Sequence, residues 1–175
     1  MSNTLSHAML KQMQQQYVIT VLVENHPGVL ARVSGLFARR GYNIESLAVS
    51  VTDDPDVSRM TLVVAGDHMV LEQITKQLHK LIEVIRVVDY TEIEAIEREM
   101  AFIKVNAEPK DRAEIMQIVE IFRGRIIDMS EKAFVIEVTG ATEKIDKIRE
   151  LLGSYGVREM VRTGLIAIAR GTRTA

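Results

Sequence analysis

Tyr17-Val18-Ile19-Thr20-Val21-Leu22-Val23-Glu24-Asn25-His26-Pro27-Gly28-Val29-Leu30-Ala31-Arg32-Val33 reads as a strand that passes through a turn into a helix. The β-branched run up to Glu24 favours extended backbone. Val29, Leu30, Val33, Leu36 and Phe37 then fall at helical spacing. A helix entered in this way leaves its first N–H groups unpaired and pointing into the turn. With the positive end of the helix dipole, those amides suit a small anion such as a carboxylate. Gly28 would let a ligand approach the backbone, and Asn25 can either cap the helix or hydrogen-bond the ligand. The alternative is an ordinary β-to-α turn in which Asn25 caps and Gly28 only relieves strain.

Outward from that turn the chain repeats one plan. The first helix ends at Arg39-Arg40-Gly41, with glycine in the role that stops a helix. Tyr42 to Thr52 is a second strand, with small Ser46, Ala48 and Ser50 on one face. Asp53-Asp54-Pro55-Asp56 is a turn into a hairpin partner from Val57 to Gly66. Leu71, Ile74, Leu78 and Leu81 stripe a second helix, and Ile85 to Thr91 is a fourth strand. The order is βαββαβ. Residues 1–16, polar and Gln-rich, read as a mobile arm. Residues 17–91 form the first domain, and the acidic stretch 92–99 links it to a second over 100–171 through a short helical turn. In that second copy Met100 to Asn106 is a strand, and Ile115, Ile118, Val119 and Phe122 stripe a helix with Asp111 as its N-cap. Arg125 to Ser130 and Ala133 to Thr139 make a hairpin, Ile145, Ile148, Leu151 and Leu152 a helix, and Val157 to Ala169 the closing strand. It lacks the Asn-His-Pro-Gly turn.

The fold class is therefore α+β: two tandem ferredoxin-like βαββαβ domains, each an antiparallel sheet with both helices on one face. Val and Ile occupy both faces of the strands, so the free face and the edge need cover, and oligomerisation is expected. The strand from Ile44 to Val51 is the candidate for edge-to-edge pairing.

Composition and motifs remove several function classes. With 22 Lys+Arg against 24 Asp+Glu and a net charge of -2, nothing steers the chain toward nucleic acid or an anionic membrane. The absence of cysteine excludes disulfides, thiol nucleophiles and Cys-ligated metals. No secretory signal or membrane span is seen, so a soluble, cytoplasmic protein is expected. His68 and His79 would lie about 16 Å apart along a helix, too far to share a metal. No Gly-x-Ser-x-Gly elbow, Walker loop or Gly-x-Gly-x-x-Gly occurs. Glu92, Glu94, Glu97 and Glu99 read as a solvated face. RNA-binding sheets of this topology stack bases on aromatics of the central strands, whereas Val18 to Val23 and Arg59 to Val64 contain none. His26 is either an exposed loop residue or a ligand-facing donor. Arg39 and Arg40 either complement the helix dipole or contact a partner.

The block Glu24-Asn25-His26-Pro27-Gly28-Val29-Leu30-Ala31-Arg32-Val33, followed by Gly35-Leu36-Phe37-Ala38-Arg39-Arg40-Gly41-Tyr42-Asn43-Ile44-Glu45-Ser46-Leu47, resembles the ACT-domain region of the acetohydroxyacid synthase (acetolactate synthase) small regulatory subunits. Thr52-Asp53-Asp54-Pro55, Ser58-Arg59-Met60-Thr61, Lys76-Gln77-Leu78-His79-Lys80-Leu81, Ile121-Phe122-Arg123-Gly124 and Ile126-Ile127-Asp128 extend the resemblance from Tyr17 to Gly171. It implies an N-terminal ACT domain and an ACT-like C-terminal domain in a non-catalytic subunit. Such a subunit activates the catalytic large subunit and confers feedback inhibition by valine in branched-chain amino acid biosynthesis. Thiamine diphosphate, Mg²⁺ and FAD would reside on the catalytic subunit, with no cofactor in this chain. The resemblance further implies a homodimer through side-by-side ACT domains with valine at their interface. Asn25, Gly28, Val29 and Leu30 would hold the ligand's carboxylate and ammonium, and Asn43 and Ile44 would reach it from the other subunit. His26-Pro27 and Ala31 depart from the usual pattern, which leaves side-chain preference open.

Three rivals make distinct demands. A free-standing amino-acid-sensing ACT protein would act on another partner. A transcriptional sensor would need a basic helix–turn–helix, which no segment offers. A small acylphosphatase-like enzyme would need an arginine-bearing anion loop where this chain has Glu-Asn-His-Pro-Gly.

Overall fold

In a computed structural model, which describes residues 15–172 and 174, the alternating run becomes β1 (Gln15–Glu24). Its residues Tyr17, Ile19, Val21 and Val23 are buried on one face. The stripe Val29, Val33, Leu36 and Phe37 packs α1 (Val29–Arg40) against that face. Gly41, left-handed at φ 69°, ends the helix with its N–H donating to Ala38 O at 3.1 Å. β2 (Ile44–Val51), β3 (Val57–Gly66), α2 (His68–Leu78) and β4 (Val84–Asp89) complete the first unit. Asp67 caps α2 by accepting the Val70 N–H at 2.8 Å. The strands pair antiparallel in the order β2-β3-β1-β4, with Ile19 opposite Leu62 and Val21 opposite Met60. Leu71, Ile74 and Leu78 bring α2 onto the same core as α1. Each fully buried Ile or Leu there contributes on the order of 2 kcal/mol.

The second unit repeats the order with β5 (Ala95–Asn106), α3 (Arg112–Ile121), β6 (Arg125–Met129), β7 (Ala133–Gly140), α4 (Thr142–Leu152) and β8 (Val157–Arg162). Its sheet runs β6-β7-β5-β8, the same permutation as the first, and β9 (Ile166–Ala169) also pairs with β5. Ile103, Val105, Ile115, Phe134, Ile136, Ile145, Ile148 and Leu152 make its core. The fold class expected from the sequence is the one found. By internal contacts one unit is Glu97–Ile166; the other takes the described residues up to Ile96 and those from Ala167 onward.

Several local expectations are corrected. The arm over residues 1–16 lies outside the described residues except for Gln15 and Gln16, which belong to β1 and pair with Gly66 and Ala65. No helical turn links the repeats over 91–98: a turn at Tyr90–Ile93 leads directly into β5. The acidic run is not wholly solvated. Glu99 is buried and ion-paired to Arg162, which also reaches Asp146 at 2.8 Å. The closing strand is broken into β8 and β9, with Gly164 at φ 84° between them. Asp111 stands at the N-cap of α3, but its side chain makes no capping bond.

The far side of the first sheet is also partly covered within the chain. Arg59, opposite Leu22 and Ser50 on that face, donates to Tyr90 Oη at 3.0 Å and to Ala167 O at 2.8 Å. Thr20, Thr61 and Val63 on the same face are buried. The edge strand β2 keeps Val49 and Val51 exposed. Among the described residues no helix is long and apolar enough to cross a membrane.

Candidate functional site

The turn between β1 and α1 is exposed from Glu24 through Gly28, and its backbone is held from two sides. The Glu24 N–H donates to Glu83 O at 2.9 Å, and the Asn25 N–H donates to Asp56 O at 2.7 Å. Asn25 does not cap α1. Its Nδ2 donates to Pro55 O at 2.8 Å, and its Oδ1 accepts the Ser58 hydroxyl at 2.9 Å. The β2–β3 turn therefore orients the Asn25 amide, and Oδ1 retains a second lone pair for a ligand donor.

Gly28 takes the N-cap position at φ 92°, without a side-chain cap. A Cβ built there meets nothing within 4 Å, so glycine is required by the backbone conformation and not by space. A side chain at Gly28 would therefore crowd no protein atom. The Val29 N–H makes only a 3.5 Å contact with His26 O, and Arg32 is the first to close a helical bond, to Gly28 O at 3.0 Å. Of the amides from Gly28 to Ala31, only that of Val29 has a protein partner among the described residues, so the others depend on solvent or a ligand. Val29 is buried as the first core residue of α1, while Leu30 is 44% exposed beside the open turn. This arrangement can take a carboxylate on backbone N–H groups with an apolar side chain lying against Leu30.

Asn43 and Ile44 lie beyond the other end of α1. That helix has 12 residues, so they stand about 18 Å from Gly28 along its axis. One copy of the chain does not bring the two groups together. Asn43 Nδ2 donates to Glu45 Oε1 at 2.6 Å, and Ile44, half-buried, starts β2 at a register shift before Ser46. His26 is exposed and satisfied locally, with Nε2 3.0 Å from Glu24 Oε2 and Nδ1 3.3 Å from Pro27 O. Arg39 and Arg40 are exposed in the last turn of α1.

Sequence reasoning missed the supports of this turn. Ser58 could have been found from hairpin register, since it pairs with Val23. Glu83 carried no signal: it is a buried carboxylate, paired with Arg32 of α1, and glutamates are mostly exposed. Among the described residues no group of three or more His, Asp or Glu is placed to hold a metal ion.

Comparison with known proteins gives a consistent result. Residues 98–171 match the family model described as small subunit of acetolactate synthase, and residues 19–86 match the AHAS small subunit-like ACT domain. The chain is 52% identical over 158 residues to a probable acetolactate synthase small subunit of Archaeoglobus fulgidus, covering 90% of this chain and 99% of that one. Identity to the Mycolicibacterium smegmatis acetolactate synthase small subunit is 48%, covering 90% of this chain and 92% of that one. Among solved structures, the acetolactate synthase small subunit from Thermotoga maritima superposes with a TM-score of 0.83 at 44% identity, covering 91% of this chain and 99% of that one.

Proposed function

The chain belongs to the acetolactate synthase small-subunit family, and on that premise we propose that it binds the catalytic large subunit, raises its activity and subjects it to feedback inhibition by valine. The setting is branched-chain amino acid biosynthesis in the cytoplasm, with thiamine diphosphate, Mg²⁺ and FAD held by the catalytic subunit. The observation that carries the effector reading is the open helix N-terminus at Gly28, Val29 and Leu30, beside a pre-oriented Asn25 amide.

Valine's carboxylate is taken by the amides of Gly28, Val29 and Leu30, its ammonium by Asn25 Oδ1, and its isopropyl group by Leu30. Asn43 and Ile44 join from a second copy of the chain, because their own copy holds them at the far end of α1. The exposed edge strand β2 supports a homodimer through side-by-side ACT sheets. Valine then favours the dimer arrangement that restrains the catalytic subunit, and by linkage that subunit must alter valine affinity in return.

Calorimetric titration of L-valine into the full chain, with Asn25→Ala alongside, tests the assignment. Saturable binding that weakens in the variant supports it. Equal binding by both proteins moves the site away from the turn. Valine binding by a chain that leaves the catalytic subunit's rate unchanged would favour a free-standing amino-acid sensor.

A further inference from the structure

Glu83 sits just before β4, with its carboxylate buried at 4% residue exposure and paired with the Arg32 guanidinium of α1. A carboxylate is expensive to bury, and it persists only where a partner and a fixed geometry compensate. What this pair fixes is on both sides of the effector turn. The Glu83 backbone carbonyl accepts the Glu24 N–H at 2.9 Å, which sets where β1 ends. Its carboxylate holds Arg32, whose own N–H donates to Gly28 O at 3.0 Å.

Gly28 C=O and Val29 N–H belong to one rigid peptide plane and point in opposite directions. Whatever orients the Gly28 carbonyl therefore aims the Val29 amide. The turn has little internal bonding to do this by itself: the His26 N–H reaches Glu24 O at 3.2 Å and the Val29 N–H reaches His26 O at 3.5 Å. Gly28, at φ 92° with open space around it, resists rotation of that plane least of all residue types.

We propose that Glu83 is a positioning residue of the effector site, acting through its ion pair with Arg32 to anchor the first turn of α1, and with it the Gly28–Val29 peptide, against the end of β1. Neither side chain touches the ligand in this account. Arg32 spends its charge on Glu83, and the anion is left to the backbone amides. The inference rests on the valine reading above and adds the device that sets affinity at that site.

The test compares the full chain with Glu83→Gln, Arg32→Met and the double variant, by L-valine calorimetry and by acetolactate formation with the catalytic subunit. Because the two residues act as a unit, each single variant is expected to bind valine about tenfold more weakly, and the double variant no more weakly than either single. Stimulation of the catalytic subunit without valine should stay within about twofold of wild type, a split that a merely structural role would not produce. Should Arg32→Met fail to fold because it strands the buried carboxylate, Glu83→Gln and the double variant, which bury no unpaired charge, still decide the matter. Wild-type affinity in those variants, or additive losses in the double, overturns the inference while leaving the valine reading intact. Parallel loss of valine-free stimulation also overturns it. Absence of saturable valine binding by the wild-type chain overturns the valine reading, and this inference with it.

Discussion

Gly28→Asp separates backbone strain from ligand repulsion, because the left-handed backbone at Gly28 confines the first and Coulomb's law scales the second. At φ 92° an added Cβ meets no heavy atom within 4 Å, so the folding cost is confined to the left-handed conformation. That cost is about 1–2 kcal/mol, and Asp is among the residues that bear it best. The effect on the ligand is electrostatic. A carboxylate at this position stands beside the amides that would hold the valine carboxylate. Two unit charges about 5 Å apart repel by roughly 1 kcal/mol with the dielectric constant of water and about 3 kcal/mol near a protein surface. Valine affinity should therefore fall by roughly 5- to 150-fold, the lower end applying because the turn is exposed. Gly28→Ala is the control, carrying the strain without the charge. Calorimetric titration and inhibition of the reconstituted enzyme, with thermal melts to monitor folding, give the comparison. The expected result is a similar melting temperature for the two variants and a valine response much weaker in Gly28→Asp than in Gly28→Ala. Equal valine responses would refute the placement of the carboxylate at this helix N-terminus.

The second unit offers an electrostatic test at Arg162, whose guanidinium is held above its usual basicity mainly by the hydrogen-bonded Glu99 carboxylate. Arg162→Met leaves Glu99 buried without its partner and should cost about 3 kcal/mol, read as a loss in denaturant midpoint; a shift under about 0.5 kcal/mol would contradict the pairing. The Glu97 carboxyl is pushed up from its usual range by burial, and secondarily by Glu143. A raised carboxyl binds its proton more tightly in the folded state, so its contribution is fully present at low pH and is lost as pH rises through the folded value. Glu97→Gln should accordingly melt higher than wild type near pH 7 and lose that advantage below about pH 4. The Thr20 hydroxyl is buried and finds no partner among the described residues; Thr20→Val should raise stability by up to about 1 kcal/mol, and a loss would mean the hydroxyl is bonded after all.

Most of the fold was legible because its signals are local. The alternation in β1 and the three- and four-residue spacing in α1, α2, α3 and α4 depend only on neighbours in sequence. What escaped depends on partners far away. Glu99 looks like one more residue of an acidic run until Arg162, 63 residues later, is folded onto it. That same run hides the start of β5. Gln15 and Gln16 extend β1 only because Ala65 and Gly66 lie opposite them. The turn between β1 and α1 was itself legible, since Asn-His-Pro-Gly between a strand and a helix has few structural readings. The placement of Asn25 was not: Pro55 O in the β2–β3 turn and the Ser58 hydroxyl of β3 hold its amide, and it does not cap α1. Glu83 was invisible for a related reason, because nothing local distinguishes a buried glutamate from an exposed one.

The most direct test of the account is the rate of acetolactate formation by the catalytic subunit alone, with this chain, and with this chain plus L-valine. The account predicts a rise when the chain is added and a fall toward the unassisted rate as valine saturates, with Gly28→Asp retaining the rise and needing roughly 5- to 150-fold more valine for the fall. A rate unaffected by the chain, or valine inhibition that is the same in its absence, would contradict it.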